Sequence, residues 1–188
     1  LWHLKHRFCS CCGMPTLNIN GGSKRICLNN NKFDFGKPVE GRSPPYCNAE
    51  HHPRVDPVVI MCISKGDKVL IGRKSTFPPG VYSCLAGFIE AAECVEEAVR
   101  REVKEESGVQ VGRVTYVSSQ PWSFPLVQLM IGCFGEALSE ELHRYNELED
   151  VRWFSIEDVR DALQPPSLKE GSSSSLLLGL PTHEAQTL

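Results

Sequence analysis

The sequence predicts an α/β (α+β) domain, with strands mixed with two helices, behind a small cysteine-bearing N-terminal segment. Three observations lead there. From Val55 to Ser155, short apolar runs alternate with glycine and proline turns, the pattern of strands. Two segments, 93–107 and 156–163, carry helical spacing instead. Residues 1 to about 55 are rich in Cys, Gly, Pro and Asn and show little periodicity. The divisions expected are 1–54, 55–166 and a flexible tail over 167–188.

VDPVVIMCIS (55–64) and KVLIGRK (68–74) are strand candidates joined by the turn Lys65-Gly66-Asp67. FPPG (77–80) is a turn, because proline presets φ and glycine supplies a positive φ. VYSCLAGF (81–88) reads as strand and loop. In the first helix Val95, Val99 and Val103 recur every four residues, with Ala98 on the same flank. VTYVSSQ (114–120), LVQLMIGCFGEAL (126–138) and DVRWFS (150–155) follow as strands. IEDVRDAL (156–163) is a helix opened by Ser155 as N-cap, with Asp158 three residues on. The serine run after Pro165-Pro166 is low complexity.

Composition excludes some classes. The hydrophobic fraction of 41% is ample for a core, and a net charge of −3 with pI near 6.1 argues against a general nucleic-acid binder. No apolar run approaches the roughly 18 residues that span a bilayer, so no membrane association is expected. The opening LWHLKHRFC lacks the apolar stretch of a signal peptide. The chain opens on Leu1 rather than methionine, so a fragment of a longer protein is expected. Nine cysteines, an odd count, favour reduced thiols inside a cell; cytoplasm or an organelle such as the peroxisome is expected. Cys62 and Cys133, in apolar runs, read as small core hydrophobes.

One stretch is wrong for stability. RREVKEESG ends the first helix, and Glu102, Glu105 and Glu106 crowd its C-terminal turn before Gly108. Acids there oppose the helix dipole and repel one another. Ala98, Glu102 and Glu106 share a stripe flanked by the valines, which puts carboxylates at the rim of the core. A solvated, salt-bridged face is the bland alternative. A hard divalent ion with oxygen ligands would compensate, and Mg²⁺ typically takes one or two carboxylates, waters and a substrate phosphate.

The wider pattern decides between them. Gly87 is followed by Glu93, then Arg101-Glu102-Val103, Glu105-Glu106, Gly108 and Val109. This resembles the Nudix box, G-x5-E-x7-R-E-U-x-E-E-x-G-U, at all nine fixed positions over 23 residues. The resemblance implies a Nudix α/β/α sandwich with a mixed sheet. It also implies hydrolysis of a diphosphate linked to another group, using Mg²⁺ or Mn²⁺ and water. It makes Glu102, Glu105 and Glu106 catalytic metal ligands, with Glu106 activating water. It adds the carbonyl of Ala86 and Glu147 as ligands, with Glu149 as the rival of Glu147. Gly87, Glu93, Arg101 and Gly108 become structural.

SQPWSFP (119–125), with HPRVDPVVIM, SCLAGFIE and LMIGC, resembles the NADH pyrophosphatase branch of that family. The resemblance covers residues 3 to about 163. It implies cleavage of NADH to reduced nicotinamide mononucleotide (NMNH) plus AMP, and extends to removal of NAD caps from RNA. Gln120, Pro121, Trp122, Ser123, Phe124 and Pro125 would line the dinucleotide and Phe88 would stack on a ring. His52 stands where the branch often has tyrosine. Because proline is unusual in a central strand, 119–125 is expected to leave the sheet as a loop. Another substrate such as ADP-ribose, and a binding module without catalysis, stay open as alternatives. Relatives are often homodimers, which makes a homodimer an expectation from resemblance alone.

The branch also carries a zinc ribbon. Cys9 and Cys12 form a C-x2-C knuckle, a half-site for tetrahedral Zn²⁺. Cys27 and Cys47 would complete a structural site, with 28–46 as an insertion that costs little closure entropy. Cys11 and His51 are alternative ligands. Three departures stand out: Ala91-Ala92 replaces the usual Pro-Gly, Ser123 replaces a proline, and the C-terminal cover helix is missing from the pattern.

Overall fold

The computed structural model describes residues 2–31, 46–122, 127–143, 147–163 and 177–178. The chain divides into two compact units, Leu1–Val55 and Asp56–Leu188. The first holds a short helix α1 (Trp2–Lys5) and three strands, β1 (Thr16–Ile19), β2 (Lys24–Cys27) and β3 (Glu50–His51), in an antiparallel sheet of order β1-β2-β3. Gly21 and Gly22, both at positive φ, turn β1 into β2. Residues 32–45 of the expected insertion lie outside the described residues.

The second unit is built on a mixed sheet. Its strands are β4 (Asp56–Lys65), β5 (Lys68–Arg73), β6 (Val81–Tyr82), β7 (Leu85–Phe88), β8 (Val111–Trp122), β9 (Gln128–Ala137) and β10 (Asp150–Ser155). The main order is β10-β5-β4-β9-β8, with β7 also on β4. Only the β4–β9 pairing is parallel among these. β7 and β5 share one edge of β4 end to end: β7 takes Val58 to Met61, and β5 takes Ile63 to Lys65. Strand β7 thereby sets Ala86, Gly87 and Phe88 beside Ile60, Val59 and Val58 of β4.

Helix α2 (Val95–Ser107) starts where the Cys94 N–H donates to Glu97 and stops at Gly108, whose φ of 80° only glycine adopts without strain. Its Ala98, Val99 and Val103 pack on Val59, Met61 and Ile63, which alternate along β4. Helix α3 (Ile156–Leu163) opens with Ser155 and Asp158 bonded reciprocally, as the spacing predicted. Ala162 and Val159 of α3 pack with Ile71, Tyr82 and Phe154 in a second cluster. The mixed sheet with helical cover is the fold the sequence predicted. Cys133 is buried in the main core, whereas Cys62 is only half-buried. A two-residue strand β11 (Leu177–Leu178) pairs in parallel with β6.

One expectation fails. Ser119 to Trp122 do not leave the sheet: they continue β8, paired with Ile131 to Gln128 of β9. Pro121 is accommodated because β8 ends the strand order among the described residues, and an edge strand has N–H groups with no ladder to serve. Ser123, Phe124 and Pro125 lie outside the described residues.

Candidate active site

The C-terminal turn of α2 brings its acids to three different environments. Glu106 is 1% exposed, Glu102 is 8% exposed, and the Glu105 side chain is half in solvent. Burial pushes the Glu106 carboxyl up to about 7; Lys74 opposes this, while Glu102 and Glu147 add to it. Burial likewise raises Glu102, against the pull of Arg101. Glu106 Oε2 is buried and has no hydrogen-bond partner among the described residues. An orphaned carboxylate oxygen costs on the order of 1–3 kcal/mol or more, so these residues fit a divalent cation.

Arg101 secures the outer side of these acids. Its Nε and Nη2 donate to the two oxygens of Glu93 at 2.7 and 2.9 Å, and Nη2 also donates to the Phe88 carbonyl at 2.8 Å. Its Nη1 donates to Glu102 at 2.8 Å and to Glu105 at 3.0 Å. All five guanidinium N–H bonds are thereby used. The Arg101 guanidinium holds Glu93 below the usual carboxylate range. Strand β7, the loop at Glu93 and helix α2 are thus joined through one side chain. Gly87 is required by close approach, since a Cβ there would lie 1.9 Å from Glu102 Cδ. Ala92 keeps φ at +67° without being glycine, so the loop holds a left-handed turn despite Ala91-Ala92.

Of these acids, Glu102 opens onto a cleft of about 510 Å³. Ala86, Gly87, Phe88, Glu102 and Glu147 line it, all five expected from sequence. Glu149, the rival of Glu147, is instead paired with Arg73. Lys74, Glu90, Val58, Gln128 and Met130 also line the cleft and were missed. Strand register could have found three of them. Phe88, Val58, Met130 and Gln120 form one cross-strand row over β7, β4, β9 and β8, and Gln128 faces Trp122 in the next. Directly paired residues share a face, so Gln120 and Trp122 flank the lining residues Met130 and Gln128. Pro121 takes the other face. Phe88 is 51% exposed, an aromatic ring open to solvent. His52 is exposed and belongs to the first unit.

In that first unit, the Sγ atoms of Cys9, Cys12, Cys27 and Cys47 all lie within 4.8 Å of one another. Cys9–Cys47 is 3.7 Å and Cys12–Cys27 is 3.4 Å. Tetrahedral bonds of ~2.3 Å to zinc imply sulfur separations of ~3.8 Å, so the donor set fits. Gly13, at φ +74°, donates its N–H to the Cys9 carbonyl and turns the knuckle. The Cys47 N–H donates to the Asn29 carbonyl, returning the chain beside Cys27. Burial raises Cys27. For Cys12, burial also acts upward, but the Met14 backbone and neighbouring thiols outweigh it and bring that thiol to about 7. Cys11 is exposed and stands outside the group, as does His51.

Residues 52–174 match the family described as NUDIX domain. The chain belongs to the NUDIX family. Among its relatives, the human NAD-capped RNA hydrolase NUDT12 is 50% identical over 168 residues, covering 86% of this chain and 34% of that protein. The mouse mitochondrial NAD(P)H pyrophosphatase NUDT13 is 39% identical over 183 residues, covering 94% and 47%. The NAD-capped RNA hydrolase NudC of Stutzerimonas stutzeri is 38% identical over 159 residues, covering 84% and 51%. The chain thus spans about a third to a half of these curated relatives. A NUDIX hydrolase structure from Nitrosomonas europaea shares the fold with a TM-score of 0.56 at 23% identity, covering 80% of this chain and 78% of that one. No helix among the described residues is long and apolar enough to cross a membrane.

Proposed function

We propose that this NUDIX chain hydrolyses the diphosphate bond of NADH and related dinucleotides, giving NMNH plus AMP. The observation that carries the reading is the Glu106 carboxylate, buried and with one oxygen unpartnered, beneath a cleft that also presents Glu102, Glu147 and an open Phe88 ring. The names of the relatives, NAD(P)H pyrophosphatase and NAD-capped RNA hydrolase, support the dinucleotide. NAD-capped RNA is proposed as a second substrate on the same grounds.

Glu102, Glu105, Glu106, Glu147 and the Ala86 carbonyl would hold Mg²⁺ or Mn²⁺. Such ions supply charge neutralisation at phosphate and make water acidic enough to attack near neutral pH. In the reaction, water oxygen bonds to one phosphorus, the bridging P–O bond breaks, and two monophosphates leave. Glu106, with a buried oxygen that has no partner among the described residues, would take the water proton as general base. Arg101 fixes Glu102 and the Phe88 backbone, so the carboxylates and the aromatic ring keep one relative position. Phe88, Gln120 and Trp122 offer an aromatic and amide surface for a nucleotide ring. The four thiols would hold a structural Zn²⁺, with no open position for chemistry.

The test is mass spectrometry of products from NADH with Mg²⁺ or Mn²⁺, beside Glu106→Gln. NMNH and AMP should form and the variant should lose nearly all turnover. Equal or faster cleavage of ADP-ribose would overturn the choice of substrate. A wild-type chain that binds NADH without cleaving it would make this a binding module. We place the protein inside the cell, in a compartment that keeps its cysteines reduced.

A further inference from the structure

The lining of the cleft is acidic, yet the proposed substrate is an anion. Glu90, Glu102 and Glu147 border the opening and Glu106 lies buried beside them. Among the described lining residues, Lys74 alone carries a positive side chain. It follows β5 directly. Its neighbour Arg73 does not line the cleft: Nη2 donates to the Phe77 and Pro78 carbonyls, Nη1 pairs with Glu149, and the buried Nε has no partner among the described residues. Lys74 forms no hydrogen bond to another described side chain, and its charge is felt by Glu106. It does not bond Glu106 Oε2, which remains without a partner. The ammonium therefore sits within electrostatic reach of Glu106, with its three donors uncommitted among the described residues. The backbone there is fixed, because the Lys74 carbonyl accepts from the Phe77 N–H at 2.9 Å and holds the turn after β5.

We infer that Lys74 is the side chain that binds the substrate's diphosphate, donating to its non-bridging oxygens and holding it over the Glu102–Glu106 carboxylates. A lysine acts on phosphate as a compact point charge rather than a fork. It therefore tolerates the shift in oxygen positions as a diphosphate becomes two monophosphates. A lysine that merely neutralised Glu106 would be expected to bond it, and it does not. This inference rests on the pyrophosphatase reading above, but its test does not need turnover.

The probe is inorganic pyrophosphate with Mg²⁺, titrated calorimetrically into the full chain and into Lys74→Met and Lys74→Arg. A charge-assisted hydrogen bond of this kind corresponds to roughly 10–100-fold in affinity. Lys74→Met should bind pyrophosphate about that much more weakly, Lys74→Arg within about threefold of wild type, and both should melt with the wild type. Steady-state rates on NADH should show KM rising with Lys74→Met. Pyrophosphate affinity unchanged in Lys74→Met, or no pyrophosphate uptake by the wild type, overturns the inference. If pyrophosphate binding depends on Lys74 but NADH yields no AMP, the pyrophosphatase reading fails and the Lys74 assignment stands.

Discussion

Glu106→Gln should change stability in a way that depends on pH. The folded carboxyl sits near 7 against a usual value of 4.5. Without divalent ions, the folded state therefore holds its proton more tightly than the unfolded state does. Below about pH 4.5 both states are protonated and nothing is lost. As pH rises through the folded value, ionising Glu106 destabilises the fold, and the loss levels off at about 3 kcal/mol. Glutamine never ionises, so the variant escapes this loss. Any packing or hydrogen-bond defect that glutamine introduces is independent of pH and cancels in a comparison across pH. Between about pH 5.5 and pH 8.5 the stability of Glu106→Gln relative to wild type should improve by about 2 kcal/mol. The assay is urea unfolding at both values in buffer free of Mg²⁺ and Mn²⁺ but retaining zinc. Tryptophan fluorescence would follow the second unit through Trp122 and Trp153. Millimolar Mg²⁺ should then stabilise the wild type more than the variant, since only the wild type offers the full ligand set. A stability difference that is the same at both pH values would refute the reasoning.

Ala92→Gly should stabilise the protein. A left-handed alanine costs roughly 1–2 kcal/mol, partly offset by glycine's extra freedom when unfolded. A net gain of about 0.5–1 kcal/mol should raise the melting temperature by about 1–4 °C. Gly87→Ala should lower turnover at least ~100-fold, because its Cβ would occupy the space of the Glu102 carboxyl; circular dichroism should show the fold kept. Arg101→Lys cannot reproduce five bonds in a fork, and limited proteolysis should cut the 88–93 loop faster. Cys27→Ser should remove bound zinc, measured by atomic emission against a wild type carrying one equivalent per chain.

The strand and helix elements of the second unit were legible because their periodicities are local: β10, α3 and α2 fall within two residues of the segments read from pattern alone. What escaped was set by topology. The cleft gathers Lys74, Val58, Gln128 and Met130 from the ends of three strands, and no spacing in the sequence brings those positions together. Pro121 misled for a related reason, since its tolerance depends on β8 being an edge, which pairing order decides and composition does not. Glu106 is also deeper than its position at a helix end suggests. Charge runs are usually solvated, and only the packing of α2 on β4 and β7 takes this one out of water.

The acidic helix end then makes physical sense as a division of labour. On its outer side the repulsion is answered within the protein, where Arg101 binds Glu93, Glu102 and Glu105 together and ties them to β7. On its inner side the protein supplies too little. Lys74 acts on Glu106 only at a distance, and Glu106 Oε2 stays bare. A fold selected for stability alone would place a leucine or methionine at that fully buried position, because an unpaired buried carboxyl is costly. Gly87 points the same way. Its missing side chain weakens β7 and serves to let the Glu102 carboxyl approach the backbone. Three local sacrifices, at Gly87 in β7, Ala92 in the loop that follows and Glu106 in the last turn of α2, fall within one strand-loop-helix segment. They are intelligible together if a divalent cation and an anionic substrate supply what the chain leaves out.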